Sequence, residues 1–150
     1  MDISKDLKEL LELFRSHGVD CVIVGAHALA LHGLPRFTAD LDLLLNRNRE
    51  NAEKILKALS DFGFGDIGLS SEDFLVPDQV IQLGNPPNRI DLLTSISGVD
   101  WNSAASGALE GSFGDTQVRF LGKDELIANK RASGRLKDLA DVEALLDQSE

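Results

Sequence analysis

The sequence has almost nothing with which to hold itself together covalently. Its single cysteine, Cys21, cannot form an internal disulfide, and no Cys/His array suggests structural zinc. No apolar run approaches the ~20 residues that a membrane span needs. The opening Met1-Asp2-Ile3-Ser4-Lys5-Asp6-Leu7 alternates charge with apolar residues and lacks a signal-peptide core. Basic residues are scarce: 15 Lys and Arg stand against 25 Asp and Glu, a formal net charge of -10. That balance disfavours a broad basic face for nucleic acid. Repeats, low-complexity tracts and long linkers are also missing, as is any Ser-His-Asp or Cys-His arrangement for nucleophilic catalysis. These absences leave a reduced, cytoplasmic protein without a membrane segment, expected as one domain over residues 1–150.

What is present is enough apolar sequence, 43% of residues, to bury a core. Ile3, Leu7, Leu10, Leu11 and Phe14 recur at helical spacing, which predicts an amphipathic helix over residues 3–17 that ends at Gly18 in the left-handed conformation. Cys21-Val22-Ile23-Val24 is short, β-branched and continuously apolar, the pattern of a buried central strand. Gly25 stops it, and residues 26–32 read as a short helix. A second strand is expected over residues 40–45 and a second long helix over 50–62. The turn-rich middle, 63–87, allows short strands at 74–76 and 80–83. Further strands are expected at 89–94 and 118–121, and helices at 124–133 and 137–146. The alternation of elements predicts an α/β (α+β) domain with a central mixed sheet, flanking helices and a helical C-terminus.

The most informative segment is Asp40-Leu41-Asp42-Leu43-Leu44-Leu45. Side chains alternate along a strand, so Asp40 and Asp42 project from one face and Leu41 and Leu43 from the other. Two carboxylates ~4 Å apart at an effective dielectric near 20 repel by about 4 kcal/mol. An apolar strand sustains that only with a counter-charge, a shared proton or a divalent cation, unless both groups simply face water at the strand's end. Arg89-Ile90-Asp91-Leu92-Leu93 supplies a third aspartate on another apolar strand. If the two strands pair, three carboxylates converge, and oxygen-only ligation favours Mg²⁺ or Mn²⁺. Two such ions ~3.5–4 Å apart suit phosphoryl or nucleotidyl transfer. The strand-Gly25-Ala26-helix junction offers backbone N–H groups to a phosphate.

Gly25-Ala26-His27-Ala28-Leu29-Ala30-Leu31-His32-Gly33, then Arg36-Phe37-Thr38-Ala39-Asp40-Leu41-Asp42, resembles the signature of the nucleotidyltransferase (polymerase β-like) superfamily. The similarity is to its small bacterial branch of minimal nucleotidyltransferases and abortive-infection toxins, and it extends to the C-terminal stretch from Leu126 to Val142. The resemblance implies that Asp40 and Asp42 bind metal, that Asp91 is the third carboxylate near the attacking hydroxyl, and that Gly25 and Ala26 lie against the triphosphate. Ala26 departs from the serine that often follows this glycine. The implied reaction moves a nucleoside monophosphate group from a nucleoside triphosphate to a hydroxyl of a protein, RNA or small-molecule acceptor, in a toxin–antitoxin setting among others. A partner chain or a dimer would complete the site, and the charge of -10 disfavours unaided RNA binding. The rivals are a non-catalytic nucleotide-binding or partner-binding relative and a metal-dependent phosphohydrolase.

Other residues carry two readings each. Arg36 and Thr38, just before the aspartate strand, are candidates for a phosphate or for a solvated loop. Lys130 belongs to a basic cluster, since six of the fifteen basic residues lie from Arg119 to Lys137. It is a candidate nucleotide contact, with the alternative that this cluster pairs with Asp138 and Asp141 through residues such as Arg131 and Lys137. His27 and His32 are five apart, poor spacing for ligation, and point to packing or capping. Trp101 reads as a packing anchor and Cys21 as a small core residue.

Overall fold

The computed structural model describes residues 5–36, 38, 40–65, 67–85 and 88–148. The expected helix start at residue 3 therefore lies outside the described residues, as do Phe37 and Ala39 of the segment before the aspartates and Asp66, Pro86 and Pro87 of the turn-rich middle. The elements run α1 (Lys5–Ser16), β1 (Cys21–Val24), α2 (Gly25–Leu31), β2 (Asp40–Leu45) and α3 (Arg49–Phe62). A 3₁₀ turn (Ser71–Phe74) follows, then β3 (Val80–Leu83), β4 (Arg89–Leu93), α4 (Trp101–Gly107), β5 (Leu109–Phe113), β6 (Thr116–Phe120), α5 (Lys123–Ser133) and α6 (Leu136–Asp147).

All six strands belong to one mixed sheet in the order β3-β4-β2-β1-β6-β5. β1 runs antiparallel to β2 and parallel to β6, and β2 runs parallel to β4. The continuously apolar β1 thus sits inside the sheet, flanked on both sides. Each face of the sheet carries its own core. On one, Leu7, Leu10, Leu11 and Phe14 of α1 and Ala52, Ile55, Ala58 and Leu59 of α3 cover Ile23, Leu41, Leu43 and Leu92. On the other, α2, α5 and α6 bring Ala28, Leu29, Leu126, Ile127, Val142 and Leu145 against Val22, Val24 and Leu44. The architecture is a mixed sheet with helices on both faces and two helices, α5 and α6, closing the chain's C-terminal part.

Three segments depart from expectation. Residues 74–76 form no strand: Ser70 and Asp73 make a reciprocal capping box for the 3₁₀ turn, which drops Phe74 into the first core at 1% exposure. β5, Leu-Glu-Gly-Ser-Phe, is half polar with a central glycine, and forms because it pairs along β6. α4 is short and Ser-rich, and is started by the Asp100 side chain accepting a hydrogen bond from Ser103 N–H at 2.8 Å. Gly18 takes the left-handed conformation expected of it (φ +71°). Among the described residues, no helix is long and apolar enough to cross a membrane.

The β1–β2 register is clamped from outside the ladder by Asn51, buried in the first turn of α3. Its Oδ1 accepts from Asp20 N–H at 2.8 Å, and its Nδ2 donates to the Asp20 carbonyl at 3.0 Å and the Asn46 carbonyl at 2.9 Å. Asp20 precedes β1 and Asn46 follows β2, so one amide ties the paired ends together. Asn51→Ala removes all three bonds and leaves the Asp20 N–H unpartnered next to the core. We expect a loss of about 2 kcal/mol in urea unfolding, against near-neutral behaviour for substitution of the exposed neighbour Glu50.

Candidate active site

Burial of the leucines decides where the aspartates go. Leu41 and Leu43 are fully buried in the first core, so their neighbours Asp40 and Asp42 must face the α2/α5/α6 side. The parallel register then brings the third carboxylate alongside: Asp42 lies opposite Asp91, and Asp40 opposite Arg89. β1 reaches the same place from the other side, with Val24 opposite Asp42. The three aspartates therefore meet where β2 and β4 begin and β1 ends.

Next to them the chain turns at Gly25, which opens α2 at φ +69°. A Cβ there would collide with Asp42 Oδ2 and come within 3.2 Å of Asp42 Cγ. Glycine is thus required by the carboxylate itself and by the left-handed backbone. A larger residue at 25 would displace Asp42, so the spatial need for glycine is explained without a phosphate. Ala26 follows in the first turn of α2 and contributes backbone only.

The electrostatics of the cluster show how its charges are held. Arg89, two residues before Asp91 on the same face, reaches between the carboxylates. Its Nη2 donates to Asp40 Oδ2 at 2.7 Å and to Asp91 Oδ2 at 3.1 Å, and its Nε donates to Asp91 Oδ1 at 3.1 Å. Asp42 feels the charge of that guanidinium only as the smallest influence on its carboxyl, and the Arg89 hydrogen bonds go to Asp40 and Asp91. Burial first, then the charges of Asp91 and Asp40, push the Asp42 pKa up to about 6. Counter-charge, one of the remedies anticipated for clustered carboxylates, is in use. The sequence analysis did not single out Arg89. Its signal was the Arg-x-Asp spacing, which puts both side chains on one strand face.

The other expected contacts lie elsewhere or act indirectly. Thr38 Oγ1 bonds with the Asp40 backbone, accepting from its N–H at 3.2 Å and donating to its carbonyl at 3.1 Å. Thr38 thus braces the start of β2. Arg36 and Lys130, the candidate nucleotide contacts, pair with carboxylates of α6. Arg36 Nη2 and Nη1 donate to Asp141 at 2.6 and 3.3 Å. Lys130, only 8% exposed, lies 2.9 Å from Asp141 and 3.5 Å from Asp138, which Arg135 also holds at 2.7 Å. Burial pushes the Asp141 carboxyl up, but Arg36 and Lys130 outweigh it and hold it below the usual range. Asp138 and Asp141 are the anticipated acidic partners of the basic cluster, but Lys130, Arg135 and Arg36 take them, while Arg131 and Lys137 remain exposed.

The remaining candidates pack. His27 meets Phe113 edge-on at 5.1 Å, and His32 Nε2 donates to the Leu121 carbonyl at 2.8 Å. Trp101 packs on the second core with the Arg119 guanidinium 5.9 Å from its ring centre. Burial pushes the Cys21 thiol up to about 12, so it is no nucleophile.

The Asp42 shift has a measurable sign. Between the ordinary carboxyl pKa of 3.8 and about 6, the folded chain binds a proton that the unfolded chain has released, so stability falls as pH rises across that window. Asp42→Asn removes the penalty. In chelator, we expect the variant to be ~2–3 kcal/mol more stable than wild type at pH 8 and no more stable at pH 4, measured by urea unfolding. Equal stability at both pH values would show that Asp42 carries no such strain.

No protein-family profile and no curated protein sequence matches the chain. Solved structures do. A candidate nucleotidyltransferase from Thermotoga maritima superposes with a TM-score of 0.57 at 15% identity, over 95% of this chain and 89% of that one. An antigenic nucleotidyltransferase-like protein from Paracoccidioides brasiliensis superposes with a TM-score of 0.51 at 19% identity, over 97% of this chain and 77% of that one. At these identities the likeness speaks for architecture alone, and the architecture is a nucleotidyltransferase-like fold.

Proposed function

We propose that the chain is a divalent-cation-dependent nucleotidyltransferase, moving a nucleoside monophosphate group from a nucleoside triphosphate to an acceptor hydroxyl. The observation that supports this reading is the meeting of Asp40, Asp42 and Asp91 at one end of β1, β2 and β4 in a nucleotidyltransferase-like fold. The donor set fits a hard cation, because it is all carboxylate oxygen and Asp42 is short of positive charge. As the side chains stand, no three His, Cys, Asp or Glu among the described residues are grouped to hold a metal, and Arg89 engages two of the three aspartates. Asp40, Asp42 and Asp91 would hold Mg²⁺ or Mn²⁺, which supplies charge neutralisation for the transferred phosphoryl group.

The chain's own residues have separate parts. Asp91, the most enclosed of the three at 7% exposure, would take the acceptor's proton on a carboxylate oxygen as the new P–O bond forms and pyrophosphate leaves. The triphosphate is assigned to the Gly25–Ala26 turn, because the Gly25 backbone lies against Asp42 and opens on the same end of the sheet. Ala26 offers its N–H and no hydroxyl. Thr38 acts through Asp40, and Arg36 and Lys130 act through α6.

Incubation with α-labelled nucleoside triphosphates, Mn²⁺ and cell lysate tests the reading, and the labelled product identifies the acceptor as partner protein, RNA end or small molecule. We expect label transfer with pyrophosphate release. Asp91→Asn should keep nucleotide binding within a few-fold and cut transfer by ~10²–10⁴. Absence of turnover in wild type would make the chain a binding module. Acceptor-free phosphate release would make it a phosphohydrolase.

A further inference from the structure

The guanidinium in the middle of the carboxylates has a consequence for how a cation enters. We propose that Arg89 is a resident counter-ion which a divalent cation must displace, so that this side chain sets the metal affinity of the site. The inference rests on the reading of the three aspartates as metal ligands and concerns what competes for them. Arg89 is carried to its position by the strand. Its i, i+2 spacing puts it on the face of Asp91, and the parallel register sets it opposite Asp40. Three hydrogen bonds follow, to both Asp91 oxygens and to Asp40 Oδ2. A charged, two-pronged grip on Asp91 is among the stronger arrangements available to a side chain.

The oxygens held in this way are those a cation would need. Lone pairs directed at the guanidinium are not free for ligation while Arg89 stays in place. The exchange is physically open. The Arg89 side chain is 29% exposed and so borders water into which it can turn, and Asp40 is 30% exposed on the same side. With all three carboxylates ionised and Arg89 in place, the cluster carries two net negative charges. Without Arg89 it carries three. A dication is therefore both less attracted and physically obstructed while the guanidinium stays.

Direct titration with Mn²⁺ alone, by calorimetry and by electron paramagnetic resonance of the free ion, tests this on the full chain without any activity readout. Wild type, Arg89→Met, Arg89→Gln and Asp42→Asn are compared. We expect both Arg89 variants to bind Mn²⁺ at least ~10-fold more tightly than wild type. In chelator they should melt below wild type, and Mn²⁺ should raise their melting temperature by more. Arg89→Gln keeps hydrogen-bond donors without charge, so it serves if the Met variant fails to fold. Mn²⁺ that binds wild type, is lost in Asp42→Asn, and binds the folded Arg89 variants no more tightly would overturn the role of Arg89 while leaving the metal site standing. Mn²⁺ binding to none of the proteins would overturn the metal site, and this inference with it.

Discussion

Three carboxylates gathered at one end of a sheet are the unfavourable arrangement that the surrounding structure is built to support. Burial and their mutual repulsion together push the Asp42 pKa up to about 6, and full burial of Leu41 and Leu43, at about 2 kcal/mol each, works against that cost. Burial fixes the face on which Asp40 and Asp42 stand, but it leaves little margin against their charge. Arg89 shifts the balance by placing a cation between Asp40 and Asp91. What remains falls on Asp42, whose pKa is pushed up to about 6. Gly25 fits the same constraint, because the Asp42 carboxylate occupies the space in which any side chain at 25 would sit.

A second charge cluster supports the first from the α5/α6 side. Lys130 is nearly buried, and burying an ammonium is costly unless it is paired. Asp138 and Asp141 supply that pairing, with Arg135 and Arg36 sharing the load. Arg36 lies just before the aspartate strand, so its bonds to Asp141 anchor the approach to β2 on α6. Lys130 and Arg135 of the basic cluster thereby serve as internal scaffolding.

Much of the architecture was legible because it rests on local pattern. The alternation of Asp40–Leu45 gives β2 with the bounds observed, the apolar run Cys21–Val24 gives an interior strand, and the spacing of Leu7, Leu10, Leu11 and Phe14 gives α1. Where local pattern is weak, expectation failed. Phe74 looked like part of a strand because an isolated buried aromatic has no period to read. β5 and α4 escaped notice because one exists through its partner strand and the other through a single cap.

The sequence by itself determined that Asp40 and Asp42 share a face, that Asp91 lies on a comparable apolar strand, and that helices and strands alternate around a sheet. These follow from residue spacing and from the need to bury leucine. Only the tertiary structure decided that Asp42 stands opposite Asp91, that Arg89 reaches Asp40 from 49 residues away, and that Arg36 is held by Asp141 from 105 residues away. Register and ion-pair choice depend on how distant segments dock. A charged side chain carries no mark in the sequence of which opposite charge will lie beside it once both have left water.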